Sequence, residues 1–306
     1  MIDRVCVVGA GTIGSLFAGH LAQVVEVSVL TRRQEHANAL NELGLRVTGR
    51  ASIVAQVQAT SDPRELPDFD LGIIACKGTD LDTAARPSSA RAAEATLMTV
   101  QNGLGAEAVV RRRGRWPLLS AITFMSGTRR SDTEVEYVLD TPTWIGPYEE
   151  APFERVEEVA RLIVAAGLRA EAFADLRPAQ WSKLIFNAAV NGVAALTGLP
   201  HDWHFAAEAA PDDLGGLVRR LVAEGKEVAA AAGIFLREDP WEMNVHATQR
   251  GSAHRPSMLE DVDARRPTEV ESINGALVRE AEHVGASIPL HEALYALVRG
   301  KEASYS

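Results

Sequence analysis

Cysteine is nearly absent from this 306-residue chain, which has only Cys6 and Cys76. Both fall inside strand-like apolar runs, where a reduced thiol packs as a small hydrophobe, so neither a disulfide framework nor a thiolate metal site is expected. Basic charge is also in deficit. Against 41 Asp and Glu stand 31 Lys and Arg, a net charge of −10. That balance argues against a nucleic-acid partner but not against a small anion held in a locally basic pocket. Long hydrophobic runs are missing: no apolar stretch reaches the ~20 residues of a membrane span without polar interruption. The first apolar run, 5–8, starts almost at the initial Met and breaks at Gly9, which leaves no place for a signal peptide, and a cytoplasmic protein is expected. There is no Gly-x-Ser-x-Gly elbow, Walker loop or His-Glu-x-x-His helix. The closest histidine pair, His201 and His204, follows Pro200 with no Cys or acid in a metal-binding pattern, so no metal is expected. Internal repeats and low-complexity segments are absent too. What remains is an ordinary globular composition, 46% hydrophobic, long enough for two packed domains.

The apolar pattern divides the chain. Short β-branched runs at 5–8, 25–30, 53–57, 71–76 and 97–100 alternate with helical segments, which implies parallel βαβ units. Further strand-like runs at 118–125, 134–139 and 143–146 have hairpin spacing and are expected to close the same sheet with antiparallel strands. A helix near 153–166 and a short strand near 170–174 follow, and then the strands stop. Helical periods continue at 180–196, 214–232, 257–263, 268–284 and 290–301. The expected domains are therefore 1–175 and 176–306, with the boundary near 175–178. Thr268 and Glu271 fit a capping box at the start of the fourth of these helices, and Gly285 with Pro289 fits its termination.

Gly9-Ala10-Gly11-Thr12-Ile13-Gly14 directly follows the first strand and opens a helix. In a dinucleotide-binding turn the first glycine makes the turn, the second admits the pyrophosphate and the third permits close helix–strand packing. Gly9, Gly11, Thr12, Ile13 and Gly14 are accordingly candidate cofactor-binding residues. The second strand ends in Leu30-Thr31-Arg32-Arg33, where an NAD site usually places an acid for the ribose 2′-hydroxyl. Guanidinium groups there suit a 2′-phosphate, so NADP(H) is the expected cofactor, with Arg32 the leading candidate, Arg33 the alternative and Lys77 a second anion-binding candidate. The same arginines are also compatible with simple solvation of a loop.

Within the apolar segment 181–191, Lys183, Asn187 and Asn191 recur every four residues and so share one helical face. A lysine on a mostly buried helix is costly without a reason, and proton chemistry is the obvious one. A lysine snorkelling to solvent, with asparagines bonding nearby backbone, would give the same spacing.

Further segments give the ladder its context: Gln101-Asn102-Gly103 at a strand end, Pro256-Ser257-Met258-Leu259-Glu260-Asp261, and Arg266-Pro267-Thr268-Glu269-Val270-Glu271 followed by Ile273-Asn274-Gly275. With the glycine turn and Lys183-x-x-x-Asn187-x-x-x-Asn191, the chain resembles the ketopantoate reductase family along essentially its whole length. The resemblance implies an α/β fold: an N-terminal Rossmann-type doubly wound sheet, then an all-α domain like the C-terminal domain of 6-phosphogluconate dehydrogenase, closing over the cofactor. It further implies NADPH-dependent reduction of 2-dehydropantoate to (R)-pantoate in pantothenate biosynthesis, and possible homodimers. Lys183 would be the general acid and Glu269 the residue binding the substrate hydroxyl, while Asn102, Asn187, Asn191 and Ser257 would hold substrate and cofactor. The chemistry agrees with those roles, because an ammonium near a developing alkoxide both stabilises it and protonates it. Ser257-x-x-Glu260 also reads as a capping box, and Glu269 as an acid in a first helical turn. Asp80 stands where many relatives have glutamine, and Gly192 where Pro or Ala is common, which keeps other branched or aromatic 2-oxo acids in view. An NADP(H) sensor without turnover is the rival from another class, although it would need neither Lys183 nor Glu269.

Overall fold

A computed structural model describes residues 2–88, 95–207, 213–249 and 254–305. The chain forms two compact units. One comprises Met1–Gln101 and Ala106–Leu176, the other Asn102–Gly105 and Arg177–Ser306. Each is described by itself.

In chain order the first unit contains β1 (Arg4–Val8), α1 (Thr12–Leu21), β2 (Glu26–Leu30), α2 (Gln34–Leu43), β3 (Leu45–Gly49), β4 (Ile53–Ala55), β5 (Gln58–Thr60), β6 (Leu71–Ile74), α3 (Leu81–Ser88), β7 (Thr96–Thr99), α4 (Ala106–Arg111), β8 (Leu118–Thr123), β9 (Ser126–Arg129), β10 (Glu134–Leu139), β11 (Thr143–Tyr148), α5 (Phe153–Ala165) and β12 (Ala170–Ala172). Among the described residues, eight strands form a sheet ordered β12-β11-β8-β7-β6-β1-β2-β5. The pairings from β5 through to β8 are parallel, and β11 joins β8 antiparallel. Strands buried on both faces explain the unbroken apolar runs, since β1 exposes only Arg4 and β6 nothing. The chain leaves β1 towards β2 and β5, then returns to place β6 on β1's other side. That reversal is a topological switch point, where open α/β sheets bind ligands beyond the strand ends.

The expected closure by 134–139 is corrected here. β10 leaves the main sheet and pairs with β3 in parallel and with β9 antiparallel, in a second sheet ordered β4-β3-β10-β9. The expected strand at 53–57 is shorter and lies in the other sheet: β4 pairs antiparallel with β3, while β5, which begins only at Gln58, is the far edge of the main sheet. Non-local pairing decided both outcomes. The small sheet packs over α1, where a Cβ at Gly19 would lie 2.6 Å from Val47 and one at Gly127 3.1 Å from Thr12.

The second unit is helical: α6 (Arg177–Thr197), α7 (Leu214–Ala231), α8 (Pro240–Thr248), α9 (Ser257–Asp263), α10 (Asn274–Val284) and α11 (Pro289–Ala303). The other five all pack on α6. Fifteen of the 21 α6 residues are buried, so this helix is the axis of the unit's core rather than a surface element. A Cβ at Gly225 would lie 2.6 Å from Ile185 and one at Gly192 2.9 Å from Leu294, so small residues set the approach of α7 and α11. Gly192 is therefore a packing feature of this chain.

The expected helix 268–284 begins late, at Asn274. Thr268 Oγ1 accepts from Val270 N at 3.1 Å, holding 268–273 in turns instead of capping a helix. Glu271 does not reach back to complete a capping box. Its carboxylate accepts from the Tyr295 hydroxyl at 2.6 Å and lies 3.3 Å from Arg299 Nε.

Candidate active site

The glycine turn can be checked by sterics. Gly9 has φ +101°, and a Cβ there would sit 2.7 Å from the backbone nitrogen of Cys76, two residues beyond β6. A Cβ at Gly14 would come within 1.9 Å of the Gly9 carbonyl oxygen. At Gly11 a Cβ would meet nothing within 4 Å, so packing does not demand this glycine. Two glycines thus serve the fold, and the third, at the N-cap of α1, puts no Cβ and no side-chain cap bond before the helix that opens at Thr12 and Ile13. Helix N-terminal N–H groups facing an uncluttered turn are what a pyrophosphate requires.

The two arginines after β2 differ. Arg33 donates twice to Asp132, at 2.7 and 2.8 Å, and Asp132 also takes Arg129. Arg32 is 82% exposed and meets Asp80 only at 3.5 Å. Lys77 is exposed at the start of the short 3₁₀ turn Gly78–Asp80. Gln101 donates to the carbonyls of Ile74 and Cys76 at 2.8 and 2.9 Å, tying the end of β7 to that of β6.

In the helical unit the ladder lies on α6 as the four-residue spacing requires. Lys183, Asn187 and Asn191 are all buried. Burial lowers the Lys183 pKa to about 8, and the nearby Glu269 carboxylate only partly offsets this. A lysine this buried does not snorkel. Glu269 stands on the turn before α10, not in a helix, and its Oε2 accepts from Asn102 Nδ2 at 3.0 Å. Asn102 opens a strap, Asn102–Gly105, that belongs by contact to the helical unit. Leu104 N donates to Ser272 O at 3.0 Å, and Gly103, at φ +89°, leaves no room for a Cβ, which would fall 1.9 Å from that same oxygen.

Ser257 stands apart from this bonded group. It is exposed at the first residue of α9, and no side-chain cap bond is made there, so the capping-box reading of Ser257 and Glu260 does not hold. Pro256, which has no side-chain acceptor, occupies the N-cap.

Three positioning residues escape a reading by sequence. Asn274, fully buried, donates to the carbonyl of Ala188 at 2.9 Å and so fixes the start of α10 beside Asn187 on α6. Glu302 accepts from Thr268 N at 2.6 Å, and Ser272 Oγ donates to Glu269 O at 3.1 Å, so both ends of the Glu269 turn are held. Asn274 sits in the segment Ile273-Asn274-Gly275, but nothing local tells a fold-bridging asparagine from a helix cap. Among the described residues no group of three or more His, Cys, Asp or Glu could hold a metal, and no helix is long and apolar enough to cross a membrane.

A Rossmann-type unit with a glycine-built nucleotide turn, in one chain with a helical unit that buries a lysine beside a carboxylate, defines the architecture of a dinucleotide-dependent oxidoreductase. The chain belongs to the ketopantoate reductase family: the family model for ketopantoate reductase PanE/ApbA matches residues 5–150, and that for its C terminal matches 175–302. It is 30% identical over 301 residues to the 2-dehydropantoate 2-reductase of Pyrococcus horikoshii, covering 98% of each chain. It is 30% identical over 311 residues to that of Archaeoglobus fulgidus, covering 99% of each. A solved PanE/ApbA family ketopantoate reductase from Ralstonia eutropha superimposes with a TM-score of 0.88 at 26% identity, covering 99% of both chains. A D-mandelate dehydrogenase with NADH and anilino(oxo)acetate reaches the same TM-score at 22% identity and 99% coverage of both, a likeness of fold alone.

Proposed function

We propose that this protein reduces 2-dehydropantoate to (R)-pantoate with NADPH. The observation that carries the reading is the buried Lys183, its pKa lowered to about 8, beside a Glu269 carboxylate held by Asn102. The names of the relatives supply the substrate, and the absence of an acid after β2, with Arg32 in its place, supports NADPH. The glycine turn fits a dinucleotide, for the steric reasons given above. Gly9, Gly11, Thr12, Ile13 and Gly14 would hold the pyrophosphate, Arg32 the 2′-phosphate and Lys77 a neighbouring anionic group.

The nicotinamide, when bound, supplies a hydride to C2 of the keto acid. The protein's own work is on the oxygen. Lys183 Nζ, as the ammonium, stabilises the negative charge developing there and transfers its proton to it, leaving a neutral amine that water reprotonates. A pKa near 8 suits this task, because the group is charged at neutral pH yet gives up its proton far more readily than an exposed lysine. Glu269 accepts from the substrate hydroxyl, and its bond from Asn102 fixes which oxygen is presented. Asn187 and Asn191, one and two turns along α6, donate to the substrate's carboxylate side, with Ser257 at the periphery.

The test is the initial rate of NADPH oxidation with 2-dehydropantoate, 2-oxoisovalerate, phenylglyoxylate and oxaloacetate, repeated with NADH. A kcat/KM for 2-dehydropantoate far above the rest supports the reading. Preference for another acid moves the substrate assignment and keeps the chemistry. No turnover on any of them contradicts the reading and favours a sensor.

A further inference from the structure

The end of β2 carries no acid, yet an acid reaches that corner from elsewhere. Asp80 closes the 3₁₀ turn Gly78–Asp80 that follows β6, the strand beside β1 at the switch point. Its Oδ2 lies 3.5 Å from Arg32 Nη1, and both side chains are accessible, at 47% and 82%. Arg33 is committed to Asp132 through two short bonds, so Arg32 is the guanidinium of the pair that can turn to a new anion.

Resting on the NADP(H) reading above, we propose that Asp80 is a specificity-determining residue that narrows the preference for NADPH over NADH. A 2′-phosphate on Arg32 must share that guanidinium with the carboxylate and accept a like charge nearby, which disfavours the phosphate. An unphosphorylated ribose meets the opposite situation, because its 2′-hydroxyl can donate to Asp80 while the Arg32–Asp80 pair stays intact. Asp80 thereby supplies, from the turn after β6, the carboxylate that an NAD site usually carries at the end of its second strand. The protein accepts both cofactors, with NADPH the better.

The dissociation constants of NADPH and NADH for the full-length protein, read by nicotinamide fluorescence without any keto acid, test this independently of the substrate assignment. Asp80→Asn is expected to shift the affinity ratio towards NADPH by about twofold to fivefold, the size expected of one exposed charge. NADPH should tighten and NADH weaken, and Asp80→Gln should act in the same direction. In an Arg32→Ala background the tightening of NADPH should largely vanish. If Arg32→Ala lowers NADPH affinity selectively while Asp80→Asn leaves the ratio unmoved, the Asp80 proposal fails and the NADP(H) reading stands. If Arg32→Ala leaves the ratio unchanged, both fail together.

Discussion

The two units build their parts of the chemistry from opposite materials. In the N-terminal unit the decisive residues are glycines, and their contribution is the absence of a side chain: Gly9 and Gly14 exist because backbone occupies the space a Cβ would need. The charged groups there, Arg32 and Lys77, are exposed. In the helical unit the residues we assign to the chemistry are polar side chains buried in an apolar helix, and burial has altered the ionisation of one of them, Lys183. The first unit is thus a shape read by backbone sterics, tolerant in its charges and intolerant in its glycines. The second is a row of buried polar groups around one lysine whose ionisation burial has shifted. Substitutions in the two should fail differently.

The largest effect is expected at Lys183. Lys183→Ala should lower kcat by about 10²–10⁴-fold, the usual contribution of a positioned acid, with NADPH affinity unchanged in a binding titration. Stability should rise, not fall, in the companion Lys183→Met, because at neutral pH the folded state carries a buried ammonium that it holds less well than water does. A gain of a few degrees in melting temperature, with activity lost, is the expected pairing; a large loss of stability would break the contrast between the units.

Gly14→Ala should do the reverse. Its Cβ would meet the Gly9 carbonyl, a backbone atom that cannot yield, so about 3 kcal/mol of stability or more should be lost together with cofactor binding. Denaturant unfolding measures the first and a fluorescence titration the second. Gly11→Ala, with nothing within 4 Å of its Cβ, should fold normally and lose only NADPH affinity.

Asn274→Ala should have a smaller effect, since it removes one buried bond, to Ala188 on α6. A stability loss of about 1–3 kcal/mol is expected, with kcat/KM for the oxo acid reduced while NADPH affinity holds. Activity equal to the parent would remove Asn274 from the positioning residues.

The smallest effect is one of pH. His291 is fully buried, its Nε2 bonded to Leu221 O at 2.8 Å, and burial lowers its pKa to about 4. The unfolded chain takes up the proton from about pH 6.5 downwards while the folded chain resists until about 4, so stability should fall with pH across that window and be insensitive to His291 above it. His291→Gln should flatten this part of the stability profile.

What was legible from the sequence follows the same division. The glycine turn and the ladder are local patterns, one a steric requirement within six residues and the other a four-residue period on one helix, so both could be read before any fold was known. The small second sheet could not, because β3 and β10 find each other across more than eighty residues. Leu45 and Val47 do alternate with exposed neighbours as a half-buried strand should, but nothing local assigns them a partner. The helix Pro240–Thr248 is hard to read from sequence although Asp239 caps it, accepting from Trp241 N at 2.8 Å, and Pro240 begins it. Its apolar period is weak, and the cap was its main signal. Asn102 shows another limit. Its motif marks the end of a strand in the first unit, whereas its side chain and the strap it opens belong by contact to the second. Sequence adjacency favoured the wrong unit.

The most direct test of the central claim, that Lys183 acts as a buried acid of lowered pKa, is the pH dependence of kcat/KM for 2-dehydropantoate reduction at saturating NADPH. The account predicts a plateau that falls with the loss of one proton as pH rises through about 8, and no such step in the residual activity of Lys183→Ala. A rate that stays level to pH 10 or above, or a step that survives in the variant, would contradict it.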